Sequence, residues 1–297
     1  MFATDLIEVL FIGSTEGAVT ALVAIGFSLV YGVGGVTNLA HGSFFMLAGY
    51  WLLWILTWGP IFTEVIWLSV VIVLIIITCL GAILYITLIK PLQESPINMI
   101  LITFAVGFFV ELIVKFISGT SPEPIDEYRI ASGHTQLLGY EMDYQALLLI
   151  LISLITITIF GLFINKSKLG KSVRAVSQDK EAATLMGINS DRILLITFII
   201  ASFLAALAAY LALPYYNLNG PAIGWQYLTN SMAVVILGGL GSLTGSVAAA
   251  FILGYARSFT LVFIPDGSIW FNVVPMIVII VMLLVRPHGM FGKKELK

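Results

Sequence analysis

The chain has 297 residues, of which 60% are apolar and 10% are charged, with a formal net charge of −2 and a mean hydropathy of +1.06. A soluble domain averages about 45–50% apolar and about 25% charged residues, so a water-soluble globule is excluded: a bilayer can hide this much apolar surface and water cannot. The charge balance excludes a basic nucleic-acid-binding face, and the single cysteine, Cys79, excludes an intrachain disulfide framework.

The N-terminus reads Met1-Phe2-Ala3-Thr4-Asp5, acidic rather than basic ahead of its first apolar stretch. No cleavable leader is therefore expected, and the first span serves as its own insertion signal. A spanning helix needs about 20 mostly apolar residues. Nine apolar segments follow in order: 9–33, 36–58, 65–89, 97–117, 144–164, 191–213, 227–240, 243–264 and 269–286. The first two are crowded with glycine, and the seventh is short. The fold class expected is an all-α integral membrane protein, one domain over 1–297, with about eight to nine transmembrane helices.

Charge gives the orientation. Lys166, Lys168, Lys171, Arg174, Lys180 and Arg192 crowd the loop 166–192, and Arg286, Lys293, Lys294 and Lys297 lie in the tail. The loop 118–143 carries Glu123, Asp126, Glu127, Glu141 and Asp143 instead. Lysine and arginine concentrate in cytoplasmic loops. The loop 166–192 and the tail are expected inside, 118–143 outside, and nine spans put the N-terminus outside and the C-terminus inside.

Glycine placement predicts broken or closely packed helices. Gly32, Gly34 and Gly35 precede Thr37-Asn38-Leu39-Ala40-His41-Gly42, while Gly238, Gly239, Gly241 and Gly245 punctuate segments seven and eight. Irregular backbone at membrane depth requires protein or a water-filled cavity around it. Gly13-x-x-x-Gly17 and Gly241-x-x-x-Gly245 suit close helix approach. Asn38 and His41, three apart, are read as one helical face, either bonding between helices or lining a polar path.

Glu111 and Lys115 have the order and spacing of an i,i+4 ion pair. Glu16, Lys90 and Glu94 read as structural, and Arg257 is expected to snorkel or to pair with Asp266 near the outer end.

The loop 166–192 is too long for a simple turn. Val173, Val176, Lys180, Ala183 and Gly187 recur at three- and four-residue steps, with Asp179 and Glu181 between them. That spacing predicts one or two short helices below the membrane, presenting a small apolar face, with Gly187 as a helix stop. Gly170-Lys171-Ser172 has the ending of a phosphate-binding P-loop, but Asn165 stands where the motif needs glycine, and no strand precedes it. The chain is not expected to bind ATP by that route.

Four motifs in sequence resemble one family. Glu181-Ala182-Ala183-x-x-x-Gly187 resembles the cytoplasmic EAA loop of ABC importer permeases. Gly26-Phe27-Ser28-Leu29-Val30-Tyr31-Gly32, then Asn38-Leu39-Ala40-His41-Gly42, resembles the subgroup that imports branched-chain amino acids. Gly238-Gly239-Leu240-Gly241-Ser242-Leu243-x-Gly245 and Arg286-Pro287-His288-Gly289-Met290-Phe291-Gly292 are similar to its C-terminal half. Ser43 stands where that family usually has glutamate, and Leu39 where it has phenylalanine.

The resemblance implies a non-enzymatic permease subunit in a prokaryotic plasma membrane, moving leucine, isoleucine or valine inward. It implies a second permease subunit as partner, two cytoplasmic ATPase subunits that use the ATP, and an external solute-binding protein, with no cofactor on this chain. It places ATPase coupling on Arg174, Asp179, Glu181, Ala182, Ala183 and Gly187. Asn38, His41, Gly42 and Ser43 fall on the substrate path, and Gly238, Gly239, Gly241 and Gly245 are structural. Importers of urea or short amides share such permeases and remain an alternative. An ion-coupled secondary transporter would need mid-membrane ionisable residues and a repeat; ionisable residues are scarce here and no clear repeat is seen. A membrane enzyme would need convergent acid–base or metal-ligating groups, and the sequence offers none.

Overall fold

In the computed structural model, the structure describes residues 2–35, 37–58, 61, 64–93, 95–122, 129–137, 139–271, 273–286 and 289–292. Glu94, Glu123, Asp126, Glu127, Pro287, His288, Lys293, Lys294 and Lys297 lie outside the described residues.

Each of the nine apolar segments corresponds to a helix. The chain runs α1 (Phe2–Gly34), α2 (His41–Thr57), α3 (Ile66–Leu84), α4 (Pro96–Ser118), β1 (His134–Leu137), β2 (Tyr140–Asp143) and α5 (Tyr144–Lys166). It continues α6 (Lys168–Gln178), α7 (Lys180–Leu185), α8 (Ser190–Tyr216), α9 (Ile223–Gly238), α10 (Leu243–Phe263), α11 (Gly267–Trp270) and α12 (Val273–Val285). Among the described residues, six helices are long and apolar enough to cross a membrane: α1, α3 with its continuation to Leu92, α4, α5, α8 and α10. Of the nine helices that match the apolar segments, the remaining three, α2, α9 and α12, have 17, 16 and 13 residues.

Helix boundaries follow local chemistry. Pro96 opens α4, where its missing N–H would have no partner in any case. Asp143, Ser167, Asp179, Asn189 and Ser242 cap α5, α6, α7, α8 and α10, each side chain accepting a backbone N–H of the first turn.

Burial separates the core helices from the rim. The most apolar stretch of α1 is 83% buried and that of α8 67%, against 22% in both α4 and α5. Small residues explain the centre. Between lipid-embedded helices there is no hydrophobic drive, so close van der Waals packing decides. Ala201, Ala205, Ala206, Ala208, Ala209 and Ala212 of α8 are at most 1% exposed, which lets α8 lie close to α1, α2 and α3. Along α1, Gly13 and Gly17 face Gly254 of α10. The rim helices turn apolar side chains such as Ile75, Leu101, Phe109 and Ile159 outward.

One element departs from a wholly helical fold. Within 118–143, β1 and β2 pair antiparallel, His134 opposite Asp143 and Leu137 opposite Tyr140. Both strands are short and polar, so helical periodicity has nothing to act on there. Arg129 pins the hairpin base, bonding Asp143 at 2.6 Å and the Pro214 carbonyl at 3.1 Å.

Candidate functional site

The segment between α5 and α8 folds as two short helices, one of the two arrangements the spacing predicts. The backbone breaks at Asp179, which is extended (φ −156°, ψ 107°) and caps α7 by accepting the Ala182 N–H at 2.9 Å. The face read across 173–187 is therefore split. Val173 and Val176 of α6 and Ala183 of α7 are buried against the bundle, while Lys180 and Gly187 are exposed.

The apolar surface left outward is elsewhere: Leu185 and Met186, at the tip of α7, are 89% and 83% exposed. Gly187, at φ +85°, ends the helix, with the Ile188 N–H reaching the Ala183 carbonyl at 3.0 Å and its own N–H reaching that of Thr184 at 2.9 Å. This is the left-handed stop that glycine adopts without strain. Arg174 points back and donates to the Ile164 carbonyl, one of the free acceptors at the end of α5. Glu181 and Ala182 lie exposed on the first turn of α7.

A polar latch braces α7. Lys180 donates to Gln93 Oε1 at 3.1 Å, Gln93 donates to Asp191 Oδ1 at 3.2 Å, and Lys90 lies 3.6 Å from Asp191 Oδ2. The link therefore runs from α7 through the α3–α4 connection to the start of α8. Its groups are solvated, and such contacts contribute about 1 kcal/mol or less each. Gln93→Ala is expected to leave the bundle folded and to speed tryptic cleavage at Lys180 about two- to fivefold, as local opening becomes easier. Unchanged cleavage would mean that the latch does not hold α7.

Asn38, His41, Gly42 and Ser43 form the junction between α1 and α2. Asn38 precedes the helix, so it does not share a helical face with His41; its Oδ1 accepts the Ala40 N–H at 3.1 Å. Among the described residues its Nδ2 has no hydrogen-bond partner. It borders a small cavity of about 20 Å³ together with Thr37, Thr103, Gln93 and Lys180, so this junction and the α7 latch share one cavity. His41 is wholly buried, Nε2 facing the Val23 carbonyl at 3.0 Å and its ring edge-on to Phe27 and Phe44. Gly42 lets α2 touch the α9 backbone at Gly224, where an added Cβ would lie 3.0 Å from the Gly42 carbonyl.

Ser43 makes a long 3.5 Å contact to the Gly107 carbonyl of α4. One turn further along α4, Glu111 is buried, ion-paired to Lys115 at 2.5 Å and accepting the Trp225 indole N–H of α9. The carboxylate near this α2–α4 contact thus comes from α4.

The glycines of 238–245 make a turn. Gly238 ends α9, Gly239 takes φ +102°, and Gly241 lies before α10, so Gly241 and Gly245 are not a pair on one helix face. Gly241 instead meets Gly32 of α1, and Gly245 meets Gly238. Met290 and Phe291 donate backbone N–H groups to the Leu237 and Gly238 carbonyls at 2.9 and 3.0 Å. The glycine turn and the C-terminal motif, far apart in sequence, are one structural unit.

Arg257 does not pair with Asp266. It sits more than a turn inside α10 and faces α1, with Nη1 3.6 Å from Glu16 Oε2 and Nη2 donating to Asn230 Oδ1 at 2.6 Å. Its guanidinium also lies 5.6 Å from the Phe271 ring centre, within cation–π range. Two opposite charges, each alone in an apolar segment, were the available signal: intramembrane charges seek one another. Among the described residues, no three His, Cys, Asp or Glu side chains converge as metal ligands.

The sequence matches the family model described as "Branched-chain amino acid transport system / permease component" over residues 9–283. It is 27% identical to the high-affinity branched-chain amino acid transport system permease protein LivH of Escherichia coli (strain K12), covering 98% of this chain and 97% of that protein. It is 30% identical to the corresponding BraD of Pseudomonas aeruginosa, covering 96% and 95%. A more distant likeness, 26% identity over 95% of this chain and 79% of the relative, is to the fructose import permease protein FruF of Bifidobacterium longum. No solved structure matches. A helical bundle with six membrane-length helices, glycine-mediated packing and a near-full-length family match make this chain a multi-pass membrane permease of the branched-chain amino acid transport system permease family.

Proposed function

We propose that the chain is one permease subunit of an ATP-driven importer of leucine, isoleucine and valine, paired with a second permease and driven by two ATPase subunits. The observation that carries the reading is the tip of α7: Leu185 and Met186 project from a capped, latched helix with almost no intramolecular contact. A small exposed apolar knob rimmed by Glu181 and Lys180 suits a groove on another protein. In this reading the α6–α7 segment faces the cytoplasm, the N-terminus lies outside, and the hairpin end receives a solute-binding protein. Movement of the ATPases presses α7. The latch carries that displacement to α3, α4 and α8, and α8 is packed on α1 and α2, so the push reaches the bundle centre. Asn38, beside the latch cavity, is placed to respond to it.

Affinity purification of the tagged permease in mild detergent, followed by reconstitution with the solute-binding protein, tests the reading. An ATPase subunit is expected to co-purify, and uptake of labelled leucine is expected to require ATP. Leucine uptake that persists without ATP, or a permease that purifies free of any ATPase, would overturn it.

A further inference from the structure

A second cavity, of about 240 Å³, lies between α1, α9, α10 and α12. At about 30 Å³ per water it is the size of about eight waters, the class of a small amino acid. Its walls are of two kinds. Arg257, Asn230, Gln226 and Thr229 make a polar side, and Val234, Leu253 and Ile279 an apolar one.

Several features of the polar side are unneeded for packing. Gln226 and Thr229 are exposed on α9, although exposed polar side chains on a membrane helix normally face a cavity. Arg257 is only 7% exposed, yet among the described residues its Nε has no hydrogen-bond partner. Its Glu16 partner stands 3.6 Å away, beyond hydrogen-bond length. The guanidinium is thus held in place by Asn230 and Phe271 while part of its donor fork stays free. A carboxylate is the group that satisfies such a fork. The Arg257–Glu16 pair is already neutral, so a ligand carrying one charge would leave the site unbalanced. A zwitterion would not.

We propose that this cavity is a station for the amino acid inside the permease. Arg257 receives the α-carboxylate, the side-chain oxygens of Gln226 and Thr229 meet the ammonium group, and Val234, Leu253 and Ile279 receive the branched side chain. The proposal rests on the amino-acid importer reading and adds to it the residues that read the substrate.

The test is saturation-transfer NMR on the intact permease–ATPase complex in nanodiscs, without solute-binding protein, using L-leucine, L-leucinamide and isovalerate as probes. Leucine methyl signals should receive saturation. Leucinamide, lacking the carboxylate, and isovalerate, lacking the ammonium group, should receive about tenfold less, as expected when a charged hydrogen bond is lost. Arg257→Gln should lower the leucine signal by about tenfold as well. Ala233→Phe, which fills the cavity and leaves the Arg257–Glu16–Asn230 contacts in place, should abolish it, and it serves where Arg257→Gln fails to assemble. An equal leucine signal in Ala233→Phe, equal signals from leucine and leucinamide, or no leucine signal in the wild type would overturn the station. ATP-dependent leucine uptake by the same purified wild-type complex, placed in proteoliposomes with the solute-binding protein, separates the two ideas: uptake intact with any of those results removes the cavity alone, and absent uptake removes the importer reading.

Discussion

Replacing Leu185 and Met186 together by aspartate is expected to abolish leucine uptake while leaving the permease folded and inserted. Both side chains are more than four-fifths exposed, so the change removes almost no contact within the chain. Helix α7 keeps its Asp179 cap and its Gly187 stop. Docked in an apolar groove of an ATPase subunit, however, two carboxylates would be desolvated without partners. An uncompensated buried charge costs about 3–5 kcal/mol, and about 4 kcal/mol is already close to a thousandfold in affinity. The double variant should therefore give a single monodisperse gel-filtration peak, shifted to smaller size by loss of the ATPase subunits, and show no ATP-dependent uptake. Glu181→Ala, a change at an exposed position that need not be desolvated, should reduce uptake only severalfold. Wild-type uptake by the double aspartate variant would remove the coupling role of α7.

The contrast between these two substitutions marks how far the sequence could be read. Length and hydropathy located every helix of the bundle, because the bilayer imposes one dominant rule on each segment. Local chemistry was legible too: Gly187 stops α7 as its position before a new apolar run suggests, and Glu111 with Lys115 forms the expected ion pair. What failed was inference across a break. The three- and four-residue spacing of 173–187 ignored Asp179, whose preference for capping outweighs continuation of the helix, and so the outward apolar residues were assigned to the wrong face. Asn38 was placed on a helix it precedes, for the same reason. Tertiary pairings were the other loss. That Arg257 meets Glu16, or that the 238–245 turn holds the chain at 289–292, depends on how helices distant in sequence cross, which no local pattern carries. The alanines of α8 gave a signal that went unused: small residues on a membrane helix mark close neighbours, and α8 has them on nearly every side.

The same packing argument predicts a severely damaging single change on the α1–α10 seam. Gly254→Leu should prevent accumulation of folded protein. At Gly254 an added Cβ would lie 2.6 Å from the Gly13 carbonyl oxygen and 2.7 Å from the Gly17 nitrogen. Both are backbone atoms of α1 and cannot rotate aside. The helices must separate along a seam that also carries the Ser258 hydroxyl bonded to the Val9 carbonyl at 2.7 Å, Ser14 with Tyr255 at 3.0 Å, and the Glu16–Arg257 pair. Overpacking alone costs about 1–3 kcal/mol, and separating a buried ion pair adds about 3–5 kcal/mol. Together these approach the whole stability of a typical domain, about 5–15 kcal/mol. Gly254→Ala meets the same backbone atoms with one carbon and should lower the thermal midpoint without preventing expression. Gly161→Ala is the control, since a Cβ on that α5 glycine meets nothing within 4 Å. It should be neutral or stabilising by about 1 kcal/mol or less, because alanine is the better helix former. Fluorescence-detected gel filtration and a melting curve on the three detergent-solubilised variants decide the matter. A Gly254→Leu protein that accumulates and melts like the wild type would show that α1 and α10 do not meet where these glycines place them, and the Glu16–Arg257 pairing would have to be given up with that seam.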